Sequence, residues 1–393
     1  MDDGRVGVYA HVPFCERICP YCDFAVERAP QLARTREDAY VAALRVELER
    51  RSELFADRPL ATLYLGGGTP SRLRPESIER IAAAVHAAFP SEGAPDLELT
   101  LELNPGTTES ARLPGFRAAG VNRLSVGVQS FDDATLKRLG RAHRARDCRA
   151  ALEAARAAGF ENLSLDLILA APEQRLADVA RDLDAALFFA PQHVSVYALT
   201  IEPGTPFERA LRRGQLVLAD EEEVADMLTL AAERLGASGL ARYEISSFAA
   251  AGRESRHNRR YWERRPVLGI GVGAWSSEPP SEAAPHGARR ANVRGLDAYL
   301  ARVAAGQPAA EGPAERLDAP TARGEALFLA LRTAAGLAPE GFAAEFGAPP
   351  RGFYGAEIEE LVEAGLLDEA SDGHLRLTSR GILLSDSVFE RFV

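Results

Sequence analysis

Short apolar runs alternate with amphipathic segments along the first 250 residues of the chain. Each run is rich in Val, Leu or Ile, and the segment after it spaces its apolar residues as a helix does. The runs lie at residues 6–12, 61–65, 97–103, 122–129, 163–169 and 193–200. The helical segments include residues 37–54, 75–89, 146–158, 175–188 and 221–236. This alternation of strands and helices predicts parallel βαβ units.

Polar groups and glycines follow several of these runs. Residues 66–69 (Gly-Gly-Gly-Thr) end the second strand, Glu102 and Gln129 stand near the ends of the third and fourth, and the fifth carries Asp166. Barrels of parallel strands have their sites at the carboxyl edge. The sequence therefore predicts an α/β fold, an open parallel (β/α)6 partial TIM barrel, with a ligand site at that edge.

The pattern changes after residue 250. Residues 278–292 are rich in Pro, Ala, Glu and Arg and are predicted to form a surface loop or linker. Helices are expected at 320–334, 339–346, 355–365 and 384–392, with a hairpin over 366–378 whose turn is Ser371-Asp372-Gly373. The predicted division is a barrel over 1–250, a connecting segment over 251–314 and a small domain over 315–393.

Composition narrows the class of protein. The chain has 393 residues, of which 46% are hydrophobic, and carries a formal net charge of −11. With no basic excess to neutralise phosphates, nucleic acid is not expected as a partner. No secretory signal and no run of 18 apolar residues is present, so we expect a soluble cytoplasmic protein.

Three of the four cysteines lie close together in the loop after the first strand. Cys15, Cys19 and Cys22 can surround one compact metal centre, whereas Cys148 stands alone in a predicted helix and is expected to be a buried, unreactive thiol. A [4Fe–4S] cluster takes four ligands, so three protein thiolates leave one iron open. The alternatives are a zinc site completed by a residue such as His11, and a disulfide framework, which an odd trio of cysteines disfavours.

The Cys-x3-Cys-x2-Cys spacing, with Tyr21 just before the third cysteine, resembles the radical S-adenosylmethionine (SAM) superfamily. The longer string from Tyr9 through Pro13 and Phe14 to Phe24 is similar to the branch that contains oxygen-independent coproporphyrinogen oxidases and HemW-type haem chaperones. In that superfamily the open iron is chelated by the amino and carboxylate groups of SAM. The resemblance also implies a winged-helix-like fold for the carboxyl-terminal domain.

The same resemblance assigns residues around SAM. It gives the amino group of SAM to the glycine turn, the ribose to Glu102, and the carboxylate or the substrate to Arg141. The full set of expected SAM-site residues is Tyr9, Tyr21, Gly67, Gly68, Thr69, Glu102, Gln129, Arg141 and Asp166. The chain departs from the family after the fifth strand, where residues 169–174 read Leu-Ala-Ala-Pro-Glu-Gln instead of the usual Tyr-Gly-Leu-Pro-Gly-Gln.

A second group of chemically active residues lies at 257–262, His-Asn-Arg-Arg-Tyr-Trp. A histidine with nearby aromatics and arginines can ligate a porphyrin and pair with its propionates, but it can equally be a packed loop anchor. The string is similar to the His-Asn-x-x-Tyr-Trp motif linked to haem binding in HemW-type proteins, which implies haem-binding roles for His257, Asn258, Tyr261 and Trp262. Ser255 stands where family members often have cysteine.

Three features favour a haem chaperone over an oxidase within this branch. Phe24 occupies the position where the oxidases typically have a fourth cysteine, the first strand begins almost at Met1 where the oxidases have an extension, and the motif at 257–262 is of the HemW type. The alternative is oxygen-independent coproporphyrinogen III oxidase (dehydrogenase) activity. A redox or metal sensor without SAM is a third class, but it leaves the glycine turn and Glu102 without a role.

The expected cofactors are a [4Fe–4S] cluster, SAM and haem. The resemblance implies haem-acceptor proteins as partners, among them membrane respiratory enzymes, and an electron donor such as flavodoxin or ferredoxin if SAM is cleaved. Whether the protein is an enzyme depends on that cleavage, which the sequence leaves open.

Overall fold

A computed structural model describes residues 3–89 and 97–393. The predicted first domain also contains residues 1, 2 and 90–96, which lie outside this described range. The strands are β1 (Val6–Val12), β2 (Phe14–Cys15), β3 (Glu27–Arg28), β4 (Leu60–Gly67), β5 (Glu98–Leu103), β6 (Arg123–Gln129), β7 (Asn162–Leu169), β8 (His193–Ala198), β9 (Ala241–Glu244), β10 (Ser247–Ala249), β11 (Val267–Ile270), β12 (Trp275–Glu278), β13 (Ala288–Ala291), β14 (Glu315–Arg316), β15 (Leu367–Glu369) and β16 (Leu375–Leu377).

Helices follow most of the strands. They are α1 (Arg34–Arg51), α2 (Pro75–Ala88), α3 (Thr107–Ala111), α4 (Leu113–Ala118), α5 (Asp133–Arg138), α6 (Ala145–Ala157), α7 (Leu176–Phe188), α8 (Pro206–Arg212), α9 (Glu221–Ala237), α10 (Arg256–Trp262), α11 (Leu296–Ala304), α12 (Ala319–Leu331), α13 (Pro339–Phe346), α14 (Arg351–Glu363), α15 (Ser379–Leu383) and α16 (Ser385–Phe389). Within the described ranges, none of the helices combines the length and the apolar character needed to cross a bilayer.

The six predicted barrel strands lie side by side. They occur in the order β1-β4-β5-β6-β7-β8, and every neighbouring pair in this series is parallel. Their apolar side chains belong to one large core, to which Val8, Leu63 and Leu165 contribute with no exposed surface. The predicted α/β fold with an open parallel barrel is confirmed.

The sheet is longer than the six predicted strands. On one side β11 pairs parallel with β1, and β12, β13 and β14 continue it antiparallel; on the other side β10 and β9 follow β8. The prediction of a loop or linker over residues 278–292 was therefore wrong at Glu278, which ends β12, and at Ala288–Ala291. This strand is rich in arginine and has little apolar content, but Arg290 binds Glu278 on the facing strand, and such cross-strand pairs stabilise a sheet.

A buried carboxylate ties this extension to the barrel. Glu47 on α1 accepts hydrogen bonds from the backbone amide of Gly271 at 2.8 Å, from Asn292 Nδ2 at 2.6 Å and from the Tyr299 hydroxyl at 2.8 Å. Buried charge of this kind is tolerated because its lone pairs are satisfied. Gly271, Asn292 and Tyr299 are thus held against α1 of the barrel, while the domain limits at 250 and 314 stay predictions.

The carboxyl-terminal region has a core of its own. Helices α12, α13 and α14 precede the hairpin of β15 and β16, the order expected of a winged-helix-like domain, and Leu327, Phe342, Ile358 and Leu375 are buried together. This region contacts the barrel through Arg332, whose Nη2 lies 3.2 Å from the carboxylate of Glu244. The contact continues along the backbone, since the Ala334 amide donates to the Tyr243 carbonyl at 2.9 Å.

Candidate functional site

The cysteine loop leaves the carboxyl end of β1 and is closed at its base by a short parallel pair, β2 and β3. The backbone amides of Glu27 and Ala29 donate to the carbonyls of Pro13 and Cys15 at 2.8 and 2.7 Å. A turn in which the Cys22 amide donates to the Cys19 carbonyl at 3.1 Å folds the loop back on itself. All three cysteines consequently line one cavity of about 430 Å³, which we call the barrel cavity.

The barrel cavity runs through the inside of the half-barrel. Its wall includes every expected SAM-site residue except Tyr9, and the polar groups along it come from several strands rather than from one loop. Its lining residues include Cys15, Cys19, Tyr21, Cys22, Phe24, Tyr64, Gly67, Gly68, Thr69, Glu102, Asn104, Arg123, Ser125, Gln129, Arg141, Asp166 and Asn258. The loop and the strand ends therefore enclose a common space.

The thiols suit a cluster better than a single ion. Among residues 3–89 and 97–393, no group of three or more His, Cys, Asp or Glu side chains is placed to hold one metal ion. The zinc alternative also needs His11, but its Nδ1 lies 3.1 Å from the Tyr9 hydroxyl and its Nε2 lies 2.9 Å from the Ala25 carbonyl. A multi-iron cluster fits three thiols that face one cavity, because each can bind a different iron.

Burial disfavours the charged thiolate form of a cysteine, and a bound metal cation would offset this cost. Desolvation raises the pKa of the Cys15 thiol to about 11, so this side chain is a neutral thiol near pH 7 without a cation. Cysteine ligands bind as thiolates, and metal binding releases their protons. The buried position of Cys15 therefore favours a site that is assembled only with its metal.

The glycine turn at the end of β4 packs against the base of the cysteine loop. Gly67 has φ of +108°, and a Cβ atom there would lie 2.4 Å from Cε1 of His11. A Cβ atom on Gly68 would lie 2.8 Å from the carbonyl carbon and oxygen of Pro13. Backbone this close to the loop requires glycine at both positions, because a side chain at either one would clash with the loop.

Glu102 is held in place by this turn. Its Oε1 accepts from the Tyr64 hydroxyl at 2.9 Å and its Oε2 accepts from the Gly67 amide at 2.9 Å. Burial raises the pKa of Glu102 to about 7, and repulsion from Asp166 adds to this shift. Each carboxylate oxygen has a further lone pair, so the group can still accept hydrogen bonds from a diol such as a ribose.

Arg141 connects the cysteine loop with the strand ends. Its Nη1 lies 3.5 Å from Cys19 Sγ, and its Nη2 donates to Asn104 Oδ1 at 2.6 Å. Asn104 Nδ2 in turn donates to Thr69 Oγ1 at 2.7 Å, and that hydroxyl lies 3.8 Å from Cys15 Sγ. A guanidinium beside the thiols offsets the negative charge that thiolates would bring. Sequence reasoning gave no role to Asn104, although it follows β5 directly.

Asp166, Tyr21 and Tyr9 are also expected SAM-site residues, and they take different positions relative to the barrel cavity. Asp166 lines the barrel cavity and accepts from Ser125 Oγ at 3.1 Å, and burial raises its pKa to about 6. Tyr21 packs near Leu139 and Ile168 at the cavity wall. Tyr9 does not line the cavity, because its ring stacks behind that of Tyr64 at 6.1 Å.

Arg123 is the main residue that sequence reasoning missed. Its side chain is 2% exposed, it lines the barrel cavity, and its Nε is buried without a hydrogen-bond partner. A signal was present, since Arg123, Ser125, Gly127 and Gln129 alternate with Leu124, Val126 and Val128, and alternate residues share one face of a strand. This alternation puts a buried cation on the inner face of β6.

The His-Asn-Arg-Arg-Tyr-Trp motif forms α10 at the opposite end of the barrel from the cysteine loop. Glu98, the first residue of β5, accepts from the backbone amides of Arg256 and His257 at 3.2 and 3.0 Å. Ser255 caps the helix, since its Oγ accepts from the Asn258 amide at 3.3 Å. Serine at this position therefore has a structural role of its own.

The four expected haem-binding residues of α10 are not brought into one site. Asn258 lines the far end of the barrel cavity, while Tyr261 and Trp262 line a second cavity of about 1020 Å³ on the outer side, which we call the outer cleft. His257 lies between them, 1% exposed, with Nδ1 2.8 Å from Thr62 Oγ1 and Nε2 3.2 Å from the Tyr261 hydroxyl. Burial lowers its pKa to about 3. Iron ligation by His257 would have to break one of these hydrogen bonds.

An open parallel barrel with a three-cysteine loop and a glycine turn at its carboxyl edge defines a protein of the radical SAM class. Residues 9–186 match the model of the Radical SAM superfamily, and residues 317–384 match that of the HemN C-terminal domain. The chain is 34% identical to the heme chaperone HemW of Bacillus subtilis over 98% of both chains. It is 37% identical to that of Mycobacterium tuberculosis over 97% of this chain and 93% of the relative. It belongs to the HemW family.

A solved structure shares the whole fold. Coproporphyrinogen III oxidase (HemN) from Escherichia coli, described as a radical SAM enzyme, superposes with a TM-score of 0.79. The alignment covers 99% of this chain and 90% of that one at 23% identity. This likeness establishes the architecture, including the carboxyl-terminal domain, and at this identity carries no further inference about activity.

The position of Glu102 predicts a pH-dependent affinity for SAM. Because its pKa is raised to about 7, the carboxyl is mostly protonated at pH 6 and mostly ionised at pH 8, and an ionised carboxylate is the stronger acceptor for ribose hydroxyls. We expect Glu102→Gln to weaken SAM binding about tenfold at pH 8 and much less at pH 6. Anaerobic equilibrium dialysis over this range measures both dissociation constants.

At each pH, dividing the dissociation constant of Glu102→Gln by that of the wild type removes the effect of the titration of SAM itself. Glu76→Gln, at an exposed position of α2, serves as the control and should bind as the wild type does at every pH. A Glu102→Gln ratio that stays constant from pH 6 to 8 would contradict the role given to this carboxylate.

Proposed function

We propose that this protein is a haem chaperone that binds a [4Fe–4S] cluster, SAM and haem and transfers the haem to acceptor proteins. The observation that carries the proposal is the similarity over nearly the full chain to relatives named heme chaperone HemW. The barrel cavity supports it, because three thiols, the glycine turn and Glu102 face one space.

The residues that would hold the cluster are Cys15, Cys19 and Cys22. When bound, such a cluster offers an open iron position to the amino-acid part of SAM and a store for one electron. The backbone around Gly67 and Gly68 would receive the amino group, and Glu102 would accept from the ribose. Arg141, beside Cys19 and Asn104, would keep a cation next to the negatively charged cluster. Gln129 and Asp166 complete the polar wall of the cavity.

Oxidation of coproporphyrinogen III is the second candidate function. One observation favours it: Arg123 presents a buried cation to the barrel cavity, which suits a propionate side chain that reaches into this cavity from a larger ligand. The cysteine loop favours the chaperone instead, since Phe24 stands at the position of the oxidases' fourth cysteine and leaves 63% of its surface exposed.

The proposed chaperone function further includes a cytoplasmic location, membrane respiratory enzymes among the haem acceptors, and flavodoxin or ferredoxin as electron donor if SAM is cleaved.

The test uses the full chain with its cluster reconstituted anaerobically. SAM, haem and coproporphyrinogen III are added separately, and binding, haem transfer to an added apo-haem protein, and porphyrin products are measured. We expect stoichiometric haem uptake, transfer to the acceptor and no protoporphyrinogen. Failure to bind haem, or formation of protoporphyrinogen under reducing conditions, would overturn the chaperone function.

A further inference from the structure

The outer cleft has the size and the walls of a site for a large aromatic ligand. It lies between α10, the loop joining β12 to β13, and helices α12 and α13, and Trp262, Phe328, Phe342 and Phe346 are among its lining residues. Sites for drug-sized ligands measure about 300–1,000 Å³ and are mostly apolar. At about 1020 Å³ the outer cleft can take a tetrapyrrole, whereas the barrel cavity, at about 430 Å³, matches a smaller ligand such as SAM.

One histidine that lines the outer cleft has a ring nitrogen with no hydrogen-bond partner among the described residues. His286 stands in the loop between β12 and β13, and its ring stacks on Phe346 with 5.6 Å between centroids. Its Nδ1 lies 3.9 Å from Glu345 Oε1, and Arg264 Nη1 fixes that carboxylate at 2.9 and 3.0 Å. Within residues 3–89 and 97–393, nothing is hydrogen-bonded to its Nε2. Metal-bound histidines commonly have a carboxylate at the other ring nitrogen, and Glu345 stands on that side of the His286 ring, 3.9 Å from Nδ1 and so beyond hydrogen-bond distance.

A cation in the same cleft is available for a carboxylate. Arg242 is half-buried, lines the outer cleft, and lies over the ring of Phe248 at 4.9 Å. In the described part of the chain it forms no ion pair with a carboxylate side chain. Burial lowers its pKa, so an anion beside it would be favourable. Trp262 adds a second donor, since its Nε1 is buried without a partner.

We propose that the outer cleft is the haem site, with His286 Nε2 as the axial iron ligand and Arg242 as a partner of a haem propionate. This assignment rests on the proposed function, because it presumes that the protein binds haem. It gives His257 a different role, in which its hydrogen bonds to Thr62 and Tyr261 hold the aromatic wall of the cleft against the barrel. His257 is then a positioning residue.

The test compares haem binding by the reconstituted full chain and by His286→Gly, followed by absorption and electron paramagnetic resonance spectra. We expect the variant to lose the imidazole-ligated signature and at least about tenfold in affinity, which is ~1.4 kcal/mol. Added imidazole should restore the signature of the haem that is bound to the variant, and a wild-type circular dichroism spectrum shows that the variant is folded. His86→Gly, at an exposed position of α2, should behave as the wild type does.

Two further variants separate ligation from positioning. Arg242→Met should weaken haem binding and keep the imidazole signature, and His257→Ala should do the same. A wild-type spectrum and affinity in His286→Gly would overturn the assignment, as would loss of the imidazole signature in His257→Ala alone. If the wild type binds no haem at all, the proposed function fails; if it binds haem and His286→Gly binds it equally, only the site is wrong.

Discussion

Replacing Cys19 by serine is expected to remove the cluster and, with it, the binding of SAM. Two remaining thiols cannot hold three corners of a cube, so the iron content of anaerobically reconstituted protein should fall from roughly four atoms per chain to near zero. The effect should be large because Cys15 is buried and desolvation raises the pKa of its thiol to about 11, so this side chain stays a neutral thiol unless a complete cluster supplies the cation. Iron and sulfide analysis measures the loss.

Cys148 provides a matched control for this experiment. It is buried, with its Sγ 3.9 Å from the Val128 carbonyl, and it belongs to α6 rather than to the cysteine loop. Cys148→Ala should therefore keep a full complement of iron and the spectral change on adding SAM. A Cys19→Ser protein that retains the whole cluster, or a Cys148→Ala protein that loses it, would show that the ligands have been misassigned.

Replacing Gly67 by alanine is expected to abolish SAM binding while the cysteines still bind iron. The new methyl group would lie 2.4 Å from Cε1 of His11, and alanine is strained at φ of +108°. Relief of this clash must move the Gly67 amide, which now donates to Glu102 Oε2. We expect SAM affinity to fall at least about a hundredfold and the free energy of unfolding to fall by about 2–4 kcal/mol.

A second glycine separates backbone strain from the clash. Gly159 has φ of +84°, and a Cβ atom added there would have nothing within 4 Å. Gly159→Ala should therefore lose only about 1 kcal/mol of stability, with SAM binding unchanged. Chemical denaturation and SAM titration of both variants give the comparison. Equal losses of stability in the two proteins, with SAM binding intact in Gly67→Ala, would refute the close packing of the turn on His11.

The sequence was most informative where one local pattern decides the outcome. The six barrel strands could be predicted because each is a short apolar run followed by a helix, and Cys148 was correctly expected to be buried. Spacing along the chain was enough to bring Cys15, Cys19 and Cys22 to one loop. The glycine turn and Glu102 could be assigned to the same edge of the sheet because parallel strands end together.

Long-range contacts explain what the sequence did not reveal. The strand Ala288–Ala291 depends on Glu278 as the partner of Arg290, and the position of α10 depends on Glu98, which lies far earlier in the chain. No local pattern encodes either contact. The burial of Arg123 could have been read from the alternation along β6, but its lack of a partner at Nε follows only from the packed barrel.

Helix α10 lies between the barrel cavity and the outer cleft. Asn258 lines the barrel cavity, and Tyr261 and Trp262 line the outer cleft. His257 is hydrogen-bonded to Thr62 on the barrel side and to Tyr261 on the cleft side. A ligand that shifts α10 when it binds in one cavity therefore also changes the binding free energy in the other cavity. Thermodynamic linkage then makes the effect mutual: the factor by which occupancy inside alters affinity outside equals the factor in the reverse direction.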